Sequence, residues 1–429
     1  MQQRDWRECD VLIGGAGIAA ASAAIRLLSL GFRPLLLATK GHITPGIEAI
    51  PEAALAMFAE LGIGNVVREG GGVLVEGFEN YWQQEDPVVR SGRWIHLDRS
   101  LLAKAATREA VRRGAILHLC KALPPITCGP PSAGITLDNV RLDFEAVIDA
   151  TGRSAVWSRP ITRCGNQVAD IFSCPSASLL RGRVVREHAR WCYRIGLERS
   201  TTLAIVANET VGRKTIDSRA QQTLGVAGND FSFTGRRPAF PQWCEKPVQH
   251  RRLAIGDAAL AYDPLAGQGI CFAVSSALAS SAVVNTWRHS PAEGLAAERF
   301  YCEFVAQRRR RHLENLHQLQ KPRRPEEPTT VRLPSVLVFS GQTGTAGVQI
   351  GSKIVTEEVV LLPDGSRVRW AGGVDLLQVR DLARQPINSG HLVERLVSPE
   401  HARHNVVALL AWCVKNGLIG AAAQSHSCL

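Results

Sequence analysis

The chain of 429 residues is 45% hydrophobic and 21% charged, long enough to bury a large core and to divide into two or three domains. This composition excludes a disordered or fibrous chain, and no stretch is expected to be a membrane span, residues 11–30 coming closest but carrying Arg26 and the glycines of a turn. The net charge of +11 raises an acidic partner or nucleic acid as a question, but the basic residues are mostly arginines spread along the chain, with one dense run at Arg308–Arg311 in a polar helical stretch, and no nucleic-acid motif is present.

The 11 cysteines form no Cys-x-x-Cys pair and no histidine pair has zinc-finger spacing, so no metal is expected and the thiols read as reduced. The apolar stretch at 11–30 belongs to a folded motif rather than a signal peptide. The expected location is the cytoplasm, with neither membrane nor nucleic acid as a partner.

In chain order, Val11, Leu12 and Ile13 predict a strand covered on both faces. A G-x-G-x-x-A turn follows. Gly15 permits the sharp turn, Gly17 lets a pyrophosphate reach the backbone, and Ala20 is small enough for close helix packing. The free amides at the helix start favour phosphate. Strand, glycine turn and Ala-rich helix together predict a dinucleotide site. Pro34–Thr39 predicts the second parallel strand. Its end carries Ala38 where a ribose-binding acid commonly stands, followed by Thr39 and Lys40. Either Thr39 or a backbone group serves the ribose, or the adenosine end is held loosely.

The segment Pro45-Gly-Ile-Glu48-Ala-Ile-Pro51 precedes a helix from Glu52 to Leu61, and Tyr81 and Trp82 sit in an aromatic segment expected to face a second domain. Asp98 reads as the cap of an amphipathic helix through Arg113 that begins with Arg99. Gly114–Leu119 reads as another parallel strand. Arg141–Ile148 reads as a single strand ending in Asp149-Ala-Thr-Gly152-Arg153-Ser154, where the small Thr-Gly turn lets the chain pass close to a ligand. Residues 154–247 carry Trp157, Trp191, Trp243 and short alternating runs such as Thr202–Val206, the pattern of an inserted antiparallel sheet.

A strand from Arg252 ends in Gly256-Asp257 and leads through Asp263-Pro264-Leu-Ala-Gly267-Gln268-Gly269 into a helix Ile270–Trp287. A second helix is expected over Pro291–Leu319, then a Pro-rich charged linker over 320–328. Beyond it come short strands with a turn at Pro363-Asp-Gly365, then helices over Asp375–Arg384, Gly390–Leu396 and Pro399–Asn416.

The G-x-G-x-x-A turn, the Asp-Arg helix near 100, the Asp-Ala-Thr-Gly turn and the Gly-Asp…Asp-Pro…Gly-x-Gly segment form an ordered set. This set resembles the FAD-dependent aromatic hydroxylases, tryptophan halogenases and geranylgeranyl reductases over most of residues 8–320. The resemblance implies an α/β plus α+β fold. A Rossmann-like FAD-binding domain would span 1–153 and 248–320, with part of 65–97 on the substrate side. An antiparallel-sheet substrate domain would span 154–247, a linker 321–328, and a small winged-helix-like α/β domain 329–429. It further implies Gly15, Gly17 and Ala20 at the pyrophosphate, Arg99 and Asp257 at the ribityl chain, Gly152 in a cofactor turn, and Pro264, Gly267, Gln268 and Gly269 beside the isoalloxazine.

Gly46-Ile-Glu48-Ala-Ile-Pro51 looks like the Gly-Glu-Ser-x-x-Pro stretch of the halogenase-like branch. The halogenase Trp-x-Trp-x-Ile-Pro box is absent, and no lysine lies between Gly70 and Asp98, where halogenases keep one. Within that branch the chain resembles the flavoprotein monooxygenases of cysteine tryptophylquinone maturation. The implied reaction is reduction of FAD by NAD(P)H as a transient reductant, formation of a flavin C4a-hydroperoxide, and dihydroxylation of a peptidyl tryptophan in a small partner protein, with other maturation factors as further partners. Glu48, His96 and Asp263 are acid–base candidates, each of which also reads as a cap, a surface residue or a satisfied hydrogen bond. Tyr81, Trp82 and Trp243 are candidate substrate contacts that also read as core. A flavin-dependent reductase or halogenase of a small molecule, and a non-catalytic FAD-binding chaperone, are the alternatives.

Overall fold

The structure, a computed structural model, describes residues 6–40, 46–82, 88–129, 132–137, 139–174, 181–187, 190–198, 200–208, 224, 231–320 and 333–421. Pro45 and the linker at 321–328 lie outside these residues. The chain divides into two compact units, Met1–His289 with Tyr301–Pro322, and Ser290–Phe300 with Arg323–Leu429.

The first unit is built on a six-stranded sheet in the order Val248–Gln249, Arg252–Ala254, Ala146–Asp149, Val11–Gly14, Pro34–Thr39, Ile116–Cys120. All neighbours are parallel except the first pair. Val11, Leu12, Ile13, Val147, Ile148 and Leu35–Leu37 are fully buried, as strands with both faces covered require. The helix Ile18–Ser29 follows the first strand and packs on the 21-residue helix Gly269–His289. The alanines at 19–21, 23 and 24 make that approach possible, since each is buried without a bulky side chain. The stretch nearest to a membrane span is therefore not 11–30: Gly269–His289 is long and apolar enough to cross a membrane, but 78% of its apolar window is buried inside the protein.

The run Arg141–Ile148 is not one strand. Val140–Phe144 alternates buried and exposed residues and joins a small antiparallel sheet, whereas Ala146–Asp149 is buried throughout and joins the parallel one. The break falls at Glu145, whose N–H donates to Asp10 O across to the first strand.

A second sheet has eight strands in the order Ser232–Pro238, Gln167–Cys174, Ser200–Asn208, Arg190–Leu197, Gly182–Glu187, Val73–Tyr81, Val88–Asp98, Ile47–Pro51. Its neighbours are antiparallel except at one seam, where Gly182–Val185 runs parallel to Phe78–Tyr81. Three of its strands therefore come from residues 47–98, outside the inserted segment. Trp243 belongs instead to a small sheet of Ile161–Arg163, Gln242–Cys244 and Leu260–Ala261.

The second unit has its own core of Leu337, Val360, Leu376, Leu392, Val406 and Leu410. It contains the hairpin Gln342–Ile350 with Lys353–Leu361, the sheet Ile387–Asn388, Val336–Phe339, Ile419–Ala421, and helices Leu376–Leu382, Ser389–Leu396 and Arg403–Lys415. Asp375 and Asn388 cap the first two helices by accepting from backbone amides.

Candidate functional site

A cavity of about 740 Å³ lies where the carboxyl ends of the parallel strands meet the antiparallel sheet. Gly17, Thr39, Ala150–Ser154, Ile255 and Asp257 line one side, just past the ends of the parallel strands. This is the crevice where open α/β sheets take their ligands.

The glycine turn forms one end. Gly15 has φ +113°, and any side chain there would meet Ala150 O at 2.5 Å. A Cβ at Gly17 would meet no protein atom within 4 Å, so the space beside it belongs to the cavity. The helix that starts at Ile18 has no side-chain cap, and Gly17, Ile18 and Ala19 all line the cavity. Ala20 is buried beneath them, and Lys40 is exposed outside the lining. On the next strand, buried Asp149 accepts from Thr151 N–H (3.0 Å) and Thr151 Oγ1–H (2.6 Å) through Oδ1, and from Trp157 N–H (2.9 Å) through Oδ2. These bonds fold the Thr-Gly turn, leaving Gly152 at φ +67° with open space over its α-carbon. The Asp149-x-Thr151 spacing was the signal for this anchor, and the sequence reading passed over it.

Midway along the cavity stands an ion cluster. Asp98 caps the helix Arg99–Arg113 through Ser100 N–H (2.7 Å) and Leu101 N–H (2.9 Å), which fixes where Arg99 leaves the backbone. Arg99 lies 3.3 Å from Glu48 Oε1 and 3.6 Å from Asp257 Oδ2. All three line the cavity.

The Pro264 loop forms the facing wall. Asp263 Oδ1 accepts from Leu265 N–H at 2.8 Å, and the Asp263 N–H donates to His312 Nε2 at 3.2 Å. Gly267 turns the chain at φ +58°, and Pro264, Gly267, Gln268 and Gly269 line the cavity at the start of the long helix. Burial pushes the Asp263 carboxyl up to about 6, against the opposing pull of Leu265 N–H and the Arg153 charge. Burial pushes His312 down to about 4, so it stays neutral and accepts. Arg153, not anticipated as a site residue, is held by Phe240 O and Tyr262 O at 2.8 Å each.

The far end is aromatic. Trp82 and Trp191 have ring centroids 6.1 Å apart, Trp191 and Tyr193 5.6 Å, and Phe78 and Trp94 5.9 Å, and all five line the cavity. Tyr81 does not. Side chains alternate along a strand, so Tyr81 packs with Val185 and Leu203 on the opposite face, its hydroxyl 3.3 Å from Glu79 Oε2. Trp243 also lies outside the cavity, with its indole N–H on Glu245 Oε1 at 2.9 Å and Arg309 over its ring. His96 is fully buried with Nδ1 on Gly196 O at 2.9 Å, and burial lowers its pKa. It lines nothing. Thus Glu48 and Asp263 reach the cavity and His96 does not.

No protein-family model matches the sequence, and no curated protein matches it. Solved structures do match. QhpG, a peptidyl tryptophan dihydroxylase essential for tryptophylquinone cofactor biogenesis, superposes with a TM-score of 0.68 at 20% identity, over 96% of this chain and 100% of that one. CmlS, a flavin-dependent halogenase, gives 0.71 at 16% identity, over 96% and 95%. The myxobacterial chondrochloren halogenase CndH gives 0.61 at 17% identity, over 72% and 81%. The chain has the fold of the flavin-dependent halogenases and hydroxylases. The residues lining the cavity fit a dinucleotide. Open cradles at Gly17, Gly152 and Gly269 leave backbone accessible, the helix start without a side-chain cap lines the cavity, and its volume lies within the roughly 300–1,000 Å³ of typical ligand sites.

Proposed function

We propose that the protein is an FAD-dependent monooxygenase that hydroxylates an indole ring, that of a tryptophan within a partner peptide. The observation that carries this reading is the continuity of one cavity, from the uncapped helix start at Gly17 to the aromatic wall of Trp82, Trp191 and Tyr193. A dinucleotide at one end leaves its redox ring facing an aromatic substrate at the other. The amides of Ile18 and Ala19 would hold the pyrophosphate, with Thr39 toward the adenosine. Arg99 and Asp257 would hold the ribityl region. The loop Pro264–Gly269, with the helix N-terminus behind it, would hold the isoalloxazine.

When bound and reduced by NAD(P)H, the flavin supplies oxygen activation. The chain's own task is to clamp the indole between aromatic faces and exclude water. Asp263 Oδ1 is occupied by Leu265 N–H, which leaves Oδ2 to carry a proton below about pH 6. Oxygenation is favoured over halogenation because no lysine lines the cavity among the described residues, and none lies between Gly70 and Asp98 in the sequence. The tryptophan-bearing peptide as substrate draws on the activity of QhpG and on the net charge of +11, which suits a protein surface as partner.

The test is mass spectrometry of tryptophan peptides incubated with FAD-loaded protein, NADH and O2. Addition of one or two oxygen atoms to the indole is the expected result. Full FAD loading with no oxygen consumed and no peptide mass changed overturns the reading, as does a protein that cannot be loaded with FAD.

A further inference from the structure

Two arginines of the strand Ser232–Pro238 reach the cavity. Arg236 is matched by Asp170, with two hydrogen bonds of 2.7 and 2.8 Å. Arg237 is not matched. Among the described residues its guanidinium makes no hydrogen bond and no ion pair, and its Nε is buried without an acceptor. The side chain covers Gly46, where a Cβ would stand 3.0 Å from Nη2. This places it at the junction of Gly46, which opens the strand Ile47–Pro51, and the aromatic wall. The acid whose charge acts on it is Glu48, already engaged by Arg99 at 3.3 Å. Burial, and then the like charge of Arg99, lower the Arg237 pKa. A partly buried cation with an orphaned donor, beside a second cation, is unfavourable until an anion joins it.

We propose that Arg237 is the docking point for a carboxylate carried by the indole-bearing substrate, the acid of a residue neighbouring the tryptophan. This rests on reading the aromatic end as the substrate site. The guanidinium matches a carboxylate in a bidentate fork. Its place between the ion cluster and Tyr193 would set the direction in which the ring enters. The other group that could meet it is the flavin ring itself, and the two sources separate experimentally.

FAD-loaded wild type, Arg237→Gln and Arg237→Lys are titrated calorimetrically with indole-3-propionate and with its neutral counterpart, indole-3-propionamide. FAD affinity is measured in parallel. Wild type should bind the acid at least about tenfold tighter than the amide, the magnitude of one hydrogen-bonded charge pair. Arg237→Gln should weaken only the acid and erase the difference, and Arg237→Lys should keep part of it. FAD affinity should stay within about twofold, since less than half a kcal/mol is then involved. Equal binding of acid and amide by wild type overturns the proposal. So does equal weakening of both ligands in the variants, or a loss of FAD, which would give Arg237 to the flavin. Binding is read without turnover, so failure to hydroxylate any peptide removes the reaction proposed above while leaving the carboxylate site intact.

Discussion

Gly15 and Gly17 stand in one turn and answer to different demands. Gly15 is required by the protein itself, through φ +113° and the carbonyl of Ala150. Gly17 faces open cavity. Gly15→Ala should therefore cost roughly 1–3 kcal/mol of stability even without cofactor, from backbone strain and overlap. Gly17→Ala should melt at the wild-type temperature without FAD, yet bind FAD about tenfold or more weakly, because the added methyl group displaces a charge-assisted contact. Thermal melts with and without FAD, set beside FAD titration, separate the two. If Gly17→Ala binds FAD normally, the pyrophosphate does not sit at this turn.

At the level of elements, the parallel sheet was legible because its signals are local. Continuous apolar runs and a glycine turn need no knowledge of distant residues, and Val11–Gly14, Pro34–Thr39 and Gly269–His289 lie where the pattern placed them. The split at Glu145 escaped because apolar residues persist across it while their burial period changes. The aromatic wall was largely hidden for a different reason. It joins Phe78, Trp82 and Trp94 to Trp191 and Tyr193, about a hundred positions away, and only strand register decides which face each shows. Tyr81 and Trp82 are neighbours in sequence with opposite fates, and substitution exposes the contrast. Trp82→Ala should raise KM for indole substrates severalfold, an aromatic contact being worth about 0.5–1.5 kcal/mol. Tyr81→Phe should leave KM unchanged. Steady-state kinetics on one tryptophan peptide reads both, and a KM shift in Tyr81→Phe would argue against the assigned face.

Across the whole molecule, two buried groups of opposite character meet at one hydrogen bond, from Asp263 N–H in the Pro264 loop to His312 on the helix Gly294–Gln320. Asp263 titrates near 6 instead of 3.8, so the folded state holds its proton more tightly, and this contribution to stability is lost as pH rises from about 4 to 6. His312 titrates near 4 instead of 6.5, so the folded state refuses the proton, and stability is lost as pH falls from about 6.5 to 4. The slopes oppose one another over most of the same range. Asp263→Asn should unmask a stability that climbs with pH through this window, and His312→Gln one that declines. Urea midpoints at about pH 4.5, 5.5 and 6.5 measure both slopes, and parallel profiles in the two variants would contradict the assigned titrations.

The parallel seam of the large sheet bears on how the chain comes to be folded at all. Gly182 rests directly on the ring of Phe78, leaving no room for a side chain, so the two segments meet in one register or not at all. Strands from residues 47–98 emerge from the ribosome long before their partners at 167–208 exist, and until then Val73–Tyr81 keeps an unpaired edge. Closing so distant a pairing is entropically slow, and a waiting edge invites aggregation. Gly182→Ala should accordingly lower soluble yield and slow refolding more than it lowers activity per correctly folded molecule. Recovery of that yield by cold expression or chaperone co-expression would identify synthesis, not catalysis, as the step this glycine guards.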